Sequence, residues 1–209
     1  MLNKQGFDLW ANDYDKTVQI SEENNAYPFA GYKEILNTTY NEVMSQKEAK
    51  VLDVGLGTGV LTSKLYENGH QIDGVDFSSE MLSIAKGKMP NAHLFEWDIT
   101  NGLPSEVVEN KYDFIVSTYT LHHLSDQDKV SFIKKLGSIL NENGKVIIGD
   151  VSFVTRAALE ACYEDNKGYW DEDEYYFVYE ELVLSLGDDY NVDYEQVSHC
   201  GGVFIITNK

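Results

Sequence analysis

The segment VLDVGLGTGVLT, residues 51–62, constrains this chain more than any other. An apolar run of strand length enters Gly55, Gly57 and Gly59, and an apolar pattern of helical period follows. Glycine takes positive φ at little cost and lets another molecule approach bare backbone. A helix that starts directly after such a turn presents unpaired N–H groups and partial positive charge, which suits a carboxylate or a phosphate. A tight glycine turn also serves simply to pack a helix on a sheet, so this motif alone leaves both readings open.

From residue 50 onward the pattern alternates strand and helix. Strands are predicted at Lys50–Val54, Gln71–Asp76, His93–Trp97, Tyr112–Tyr119 and Lys145–Val151. Between them, Leu61 and Leu65 mark a helix stopped near Asn68-Gly69, and Ser78 or Ser79 caps one carrying Met81, Leu82 and Ala85. Ser125 opens a third, through Val130, Ile133, Leu136 and Leu140, expected to end at Asn143-Gly144. Strands separated by helices imply right-handed crossovers and a mostly parallel sheet. A helical stretch is expected from about residue 156 to 186, then a hairpin of Asp193–Ser198 and Val203–Thr207 across Cys200-Gly201-Gly202. Phe7, Trp10 and Tyr14 make a helical stripe before the sheet, and a second helix follows Pro28 through Tyr32, Ile35, Leu36, Tyr40 and Val43. A chain of 209 residues without repeat or linker reads as one domain.

Composition excludes several function classes. No apolar run approaches the ~20 residues of a membrane span, and the first ten residues do not form a signal peptide. Cys162 and Cys200 lie far apart in no metal-ligand spacing, which predicts neither a disulfide framework nor a metal site, and fits a cytoplasmic location. The net charge is −19, and residues 160–195 hold thirteen acids against the single base Lys167. Such a surface repels phosphate backbones, so nucleic acid is a poor substrate. It reads either as a solvated face or as a mouth for a cationic substrate or basic partner.

The ligand is narrowed by spacing. The dinucleotide fingerprint G-x-G-x-x-G puts its third glycine three residues after its second. Here the order is G-x-G-x-G, and Val60 stands where that glycine would be. Two acids then close successive strands: Asp76 in GVDFSSEML, seventeen residues after Gly59, and Asp98 in EWDIT. A carboxylate at the first position can accept from two ribose hydroxyls, and one at the second from an exocyclic adenine amine. Phe77 or Trp97 offers a face for the base. Each acid alone reads equally as a helix cap or a solvated turn. Their order at strand C-termini favours the nucleoside.

The succession VLDVGLGTG, GVDFSSEML, EWDIT, YDFIVSTYTLHHL and LNENGKVIIGD resembles the ordered motifs of class I S-adenosylmethionine (SAM)-dependent methyltransferases. With WANDYDKTV near the start, it is most similar to the small bacterial YrrT-like group, over about residues 7–152. The resemblance implies a Rossmann-like α/β fold: a seven-stranded, mostly parallel sheet with helices on both faces, its last strand antiparallel, and an N-terminal helical extension. It implies SAM as cofactor and a partition into a lid (1–46), a cofactor-binding core (47–152) and a substrate cover with hairpin (153–209). By resemblance Gly55 and Gly57, with Asp53 and Gly59, hold the methionine part, Asp76 the ribose and Asp98 the adenine. Tyr14, Phe77, Met81, Trp97, Ile99 and Ser117 complete the expected cofactor contacts.

The acceptor is less legible. A general base is needed only if the acceptor must lose a proton. His122 and His123, beyond the fourth strand, are the candidates, because an imidazole titrates near neutrality; they read equally as residues that pack the loop. Arg156, the single arginine, either clamps a substrate carboxylate or sits on the surface. Tyr169, Trp170, Tyr175, Tyr176, Phe177 and Tyr179 form either a substrate cover or a packed helix. Residues 117–120, Ser-Thr-Tyr-Thr, are not the Asn-Pro-Pro-aromatic run of base amino-methylation. The expected function is methyl transfer to a small molecule by a monomer or homodimer. A non-catalytic SAM- or partner-binding module and an NAD-dependent oxidoreductase are the alternatives.

Overall fold

Strand β1 (Lys50–Val54) is buried on both faces and lies between two parallel partners, β2 (Gln71–Asp76) and β4 (Tyr112–Thr118). The structure, a computed structural model, describes residues 26–209, and the helix expected around Phe7, Trp10 and Tyr14 lies outside them. From β1 the chain runs outward through helix α2 (Val60–Glu67), β2, helix α3 (Ser79–Lys88) and β3 (His93–Glu96). It then crosses β1 to reach β4, helix α5 (Asp126–Ser138) and β5 (Leu140–Phe153); a short helix α4 (Ser105–Val108) precedes β4. With β7 (Tyr190–Gln196) and β8 (Gly201–Asn208) at the C-terminal side, the strand order is β3-β2-β1-β4-β5-β8-β7. The reversal between β1 and β4 is the topological switch point at which open parallel sheets bind ligands, beyond the strand C-termini.

Each face of the sheet is covered because alternate side chains feed separate cores. Val51, Phe114, Val116 and Ile147 pack with Ile35 of helix α1 (Tyr32–Val43), Leu61 of α2 and Ala85 of α3. Leu52, Val54, Ile115 and Ile148 pack on the opposite face with Ile133 and Leu136 of α5 and Leu182 of helix α7 (Tyr179–Leu186). At roughly 2 kcal/mol for each fully buried aliphatic side chain, these two layers supply most of the driving force.

The antiparallel strand is β8 (Gly201–Asn208), which lies between β5 and β7 (Tyr190–Gln196). The sheet has eight strands rather than seven, because β6 (Phe177–Val178) adds a two-residue parallel pairing to the far end of β5. Three expectations are corrected. Helix α5 ends at Ser138, since Leu140 already pairs with Tyr112, and Asn143, at φ 62°, sits in an irregularity inside β5. The expected helix over residues 156–186 is broken into α6 (Arg156–Asn166), a loop with β6, and α7. Four consecutive acids, residues 171–174, repel one another there, and the Asp171 side chain accepts from the Asp173 N–H to form a turn. Finally β3 and β4 stop one residue short of their expected ends, at Glu96 and Thr118.

Candidate cofactor and acceptor site

The glycine loop is fastened to the sheet by its backbone. The Gly55 and Leu56 N–H groups both donate to the Val75 carbonyl, at 2.7 and 3.2 Å. Gly55 has φ 76°, and a Cβ there would collide with the side chain of Thr120, which shows how closely the chain after β4 lies on this loop. Thr120 Oγ1 also donates to the Gly55 carbonyl at 3.3 Å. Gly57 differs: at φ 54° its Cα is open, with Met81 Sδ, 3.6 Å from an added Cβ, the one near neighbour among the described residues. Gly59, the N-cap of α2, brings no side-chain cap to that helix. Gly55 is therefore required by packing, and Gly57 keeps a face of bare backbone.

Asp76 ends β2 beside this loop and is buried. Its Oδ2 accepts from the Gly57 N–H at 2.8 Å and its Oδ1 from the Ser78 N–H at 2.9 Å. Both oxygens of this carboxylate are thus fixed toward the turn between β2 and the glycine loop. Asp53, at the end of β1, is also buried; Oδ2 accepts from Thr62, and Oδ1 has no partner among the described residues. Burial, with the Asp76 charge adding to it against the Thr62 hydrogen bond, pushes its carboxyl up to about 7.

The adenine-side candidates are more exposed. Asp98 Oδ1 accepts from Thr100 N at 2.9 Å and Oγ1 at 2.7 Å, capping a 3-10 turn (Ile99–Asn101), and these bonds leave Oδ2 untouched. Trp97 donates its indole N–H to the Gly102 carbonyl at 3.2 Å. Phe77 and Ile99 are half-buried and Met81 is buried below Gly57. The Ser117 hydroxyl donates to the Val54 carbonyl at 2.8 Å, tying β4 to β1 at the strand ends. Tyr14 lies outside the described residues.

Beyond β4, a 3-10 turn (Leu121–His123) brings the two histidines together, ring centroids 4.2 Å apart. His122 is buried, with Nδ1 2.6 Å from Asp150 Oδ1. Burial opposes a charge on this ring, but Asp150, reinforced by Glu174, outweighs it and raises the imidazole above its ordinary value. Burial and the neighbouring His122 instead lower His123 to about 4. His123 also lines a cavity of about 430 Å³ that it shares with Ile99, Thr100, Asp128 and Lys135.

Four residues at this end of the sheet escaped the sequence reading. Asp150 stood inside the motif LNENGKVIIGD without a role, although an acid closing a buried strand is itself a signal. Glu174 was one acid in a run of four, and nothing in sequence distinguishes it. Tyr119 adopts φ 50°, uncommon for an aromatic residue, and packs against Phe29 and Tyr32. Thr120 holds the glycine loop. The aromatic run does not form one helix: Tyr169 is exposed, Trp170 and Tyr176 pack around Tyr27, and Phe177 joins the opposite core. Arg156 pairs with Glu181 through Nε at 2.8 Å and through its terminal nitrogen, on the surface.

A glycine-looped first strand, an acid braced at the tip of the second, and an antiparallel C-terminal strand inserted between β5 and β7 define a nucleoside-binding enzyme of the Rossmann-like methyltransferase type. Comparison with known proteins agrees. Residues 51–144 match the methyltransferase domain family. The chain is 38% identical over 168 residues to an uncharacterised methyltransferase of Anoxybacillus flavithermus, covering 79% of this chain and 76% of that one. It is 39% identical over 162 residues to another from Bacillus cytotoxicus, covering 77% and 73%. Among solved structures it resembles a DhpI-SAM-HEP complex, with TM-score 0.70, 18% identity and coverage of 97% and 94%. The magnesium protoporphyrin IX methyltransferase of Synechocystis PCC 6803 with bound SAH matches with TM-score 0.67, 16% identity and coverage of 87% and 85%. The chain belongs to the class I SAM-dependent methyltransferases: it is an enzyme whose cofactor is SAM.

Proposed function

We propose that this methyltransferase acts on a small molecule whose nucleophilic atom is presented beside His122 and His123. The single observation that carries the reading is the juxtaposition built by Thr120. It packs on Gly55 and is followed within three residues by both histidines, so cofactor loop and acceptor loop share one wall. The residues present fit the cofactor. Asp53 Oδ1, buried without a partner among the described residues, suits the ammonium of the methionine part, with Gly57 giving open backbone in a turn shaped by Gly55 and Gly59. Asp76 suits the ribose diol, and Asp98 Oδ2 the adenine amine, with Phe77, Met81, Trp97 and Ile99 around the base. Ser117, its hydroxyl committed to Val54, acts by fixing strand position, and Tyr14 is assigned to the lid.

When bound, SAM supplies an already activated methyl group on a sulfonium, so the protein has little bond-making to assist. Its own residues orient the acceptor, exclude water and manage one proton. Asp150 fixes the orientation of His122 through Nδ1, which leaves Nε2 as the working nitrogen. His123, held largely neutral by burial, adds a second acceptor.

The remainder of the reading is a lid at residues 1–46, a core at 47–152 and a cover at 153–209, in a cytoplasmic monomer or homodimer. Among the described residues no helix is long and apolar enough to cross a membrane. The acidic 160–195 segment argues against nucleic acid. To test the acceptor class, the purified chain is incubated with methyl-labelled SAM and with separate metabolite, protein and RNA fractions. Label in the low-molecular-weight fraction supports the proposal, whereas label confined to protein or RNA overturns it.

A further inference from the structure

The histidine pair converges on a third group. Glu174 is brought to it by the Tyr175 N–H, which donates to the His122 carbonyl at 2.8 Å. Tyr176 Oη donates to Glu174 Oε2 at 2.6 Å, and this leaves Oε1 turned toward the rings. Oε1 lies 3.6 Å from His122 Nε2 and 3.9 Å from His123 Nδ1. Both separations exceed the ~3.2 Å limit of an N–H···O hydrogen bond. With Asp150 against Nδ1 of His122, the opposite ring nitrogen, Nε2, faces Glu174 Oε1 across this gap. All three atoms lie within 4.8 Å of one another.

We infer that His122 Nε2, His123 Nδ1 and Glu174 Oε1 form a site for a first-row divalent transition-metal ion, with Asp150 as the carboxylate that orients His122. Ligands at ~2.0–2.2 Å from a tetrahedral zinc ion stand roughly 3.4 Å apart, so the observed group needs to contract by only a few tenths of an ångström to an ångström or so. Two imidazoles and one carboxylate are the donor set of open, three-ligand sites, which keep a further position for a ligand. The second histidine nitrogen bonded to an acid is the recurring outer shell of such centres. The negative charges of Asp150, Glu174 and nearby Asp171 favour a cation here, while Lys129 opposes it.

For its role, though not for its existence, the site rests on the acceptor lying beside the histidines. An acceptor hydroxyl or thiol takes the open position. Its O–H or S–H bond breaks with the electron pair left on the donor atom and the proton passing to water, as metal-bound ligands ionise near neutrality.

The test is a titration of the purified full-length protein with Co²⁺ alone, followed by visible absorption, with Zn²⁺ as competitor. The site predicts one bound ion per chain, displaced by Zn²⁺. His123→Ala and Glu174→Gln each weaken binding more than about tenfold, and Asp150→Asn weakens it by about 10–100-fold. Asp188→Asn, a distant surface acid, leaves it unchanged. Thermal unfolding confirms that each variant is folded, and Glu174→Gln keeps the side-chain volume should His123→Ala fail. No binding, or binding equal in wild type and in the folded ligand variants, overturns the inference, the latter because the ion then sits on the acidic surface. SAM affinity of the metal-free wild type is read separately: its loss would sink the cofactor assignment, and its retention without any metal binding would sink only this one.

Discussion

Asp76→Asn tests the cofactor assignment with the least disturbance of shape. In the native protein both carboxylate oxygens accept a backbone N–H, from Gly57 and Ser78. The same carboxylate is assigned to the ribose hydroxyls. An amide keeps one accepting oxygen and turns an NH₂ group toward a donor, either the Gly57 or the Ser78 N–H. One charge-assisted bond to the ligand is lost, worth about 1.5–3 kcal/mol. SAM should therefore bind about 10- to 150-fold more weakly. Calorimetric titration with SAM and with its 2′-deoxyribose analogue isolates the contact, because the variant should penalise the analogue much less. Thermal melts report any damage to the loop. A folded variant whose affinity for SAM stays within about twofold of wild type would refute the ribose role, as would equal losses for both ligands.

Asp53 gives a pH signature. Its carboxyl is raised in the folded state, so its contribution to stability is full below about 4 and is lost as pH rises through about 7; urea melts should show this slope, and Asp53→Asn should remove it. Since an ammonium beside it favours the ionised form, SAM affinity should strengthen as pH rises through about 7 in wild type and not in Asp53→Asn. Gly55→Ala should destabilise the fold by about 1–3 kcal/mol through its clash with Thr120, measured by denaturant unfolding. Gly57→Val has room for its side chain but is strained at φ 54°, so it should lower stability in denaturant unfolding and also lose SAM in equilibrium dialysis; folded material with a normal Kd would dismiss the open-backbone cradle. Tyr112→Phe removes the buried bond to Asp73 Oδ2, 2.8 Å long, and should cost about 1–3 kcal/mol in the same unfolding assay.

The strands were legible where burial on both faces wrote a continuous apolar run, as in β1 and β4, and where side-chain caps stood beside them, as with Ser78 and Ser125. The broken stretch after α6 was not, because helical period and an acidic aromatic-rich loop look alike when only the pattern of Tyr and Glu is read. Similarly, Asn143-Gly144 carries the composition of a helix stop but is used as an irregularity within β5. In the site, the acids at strand ends were visible because their spacing follows the chain. The partners of His122 were hidden because Asp150 and Glu174 reach it from 28 and 52 positions away, contacts that only the tertiary fold creates.

The place of β8 has a consequence for how this protein is made. One margin of β5 is completed, among the described residues, by Gly201 through Ile206, residues synthesised after α6, β6, α7 and β7. Throughout that interval an apolar strand offers unpaired amides and carbonyls to any passing chain, a hazard that mature proteins take care to mask. Mutations that weaken β8, even far from the glycine loop, should first appear as poor yield and inclusion bodies rather than as impaired catalysis in the molecules that do close.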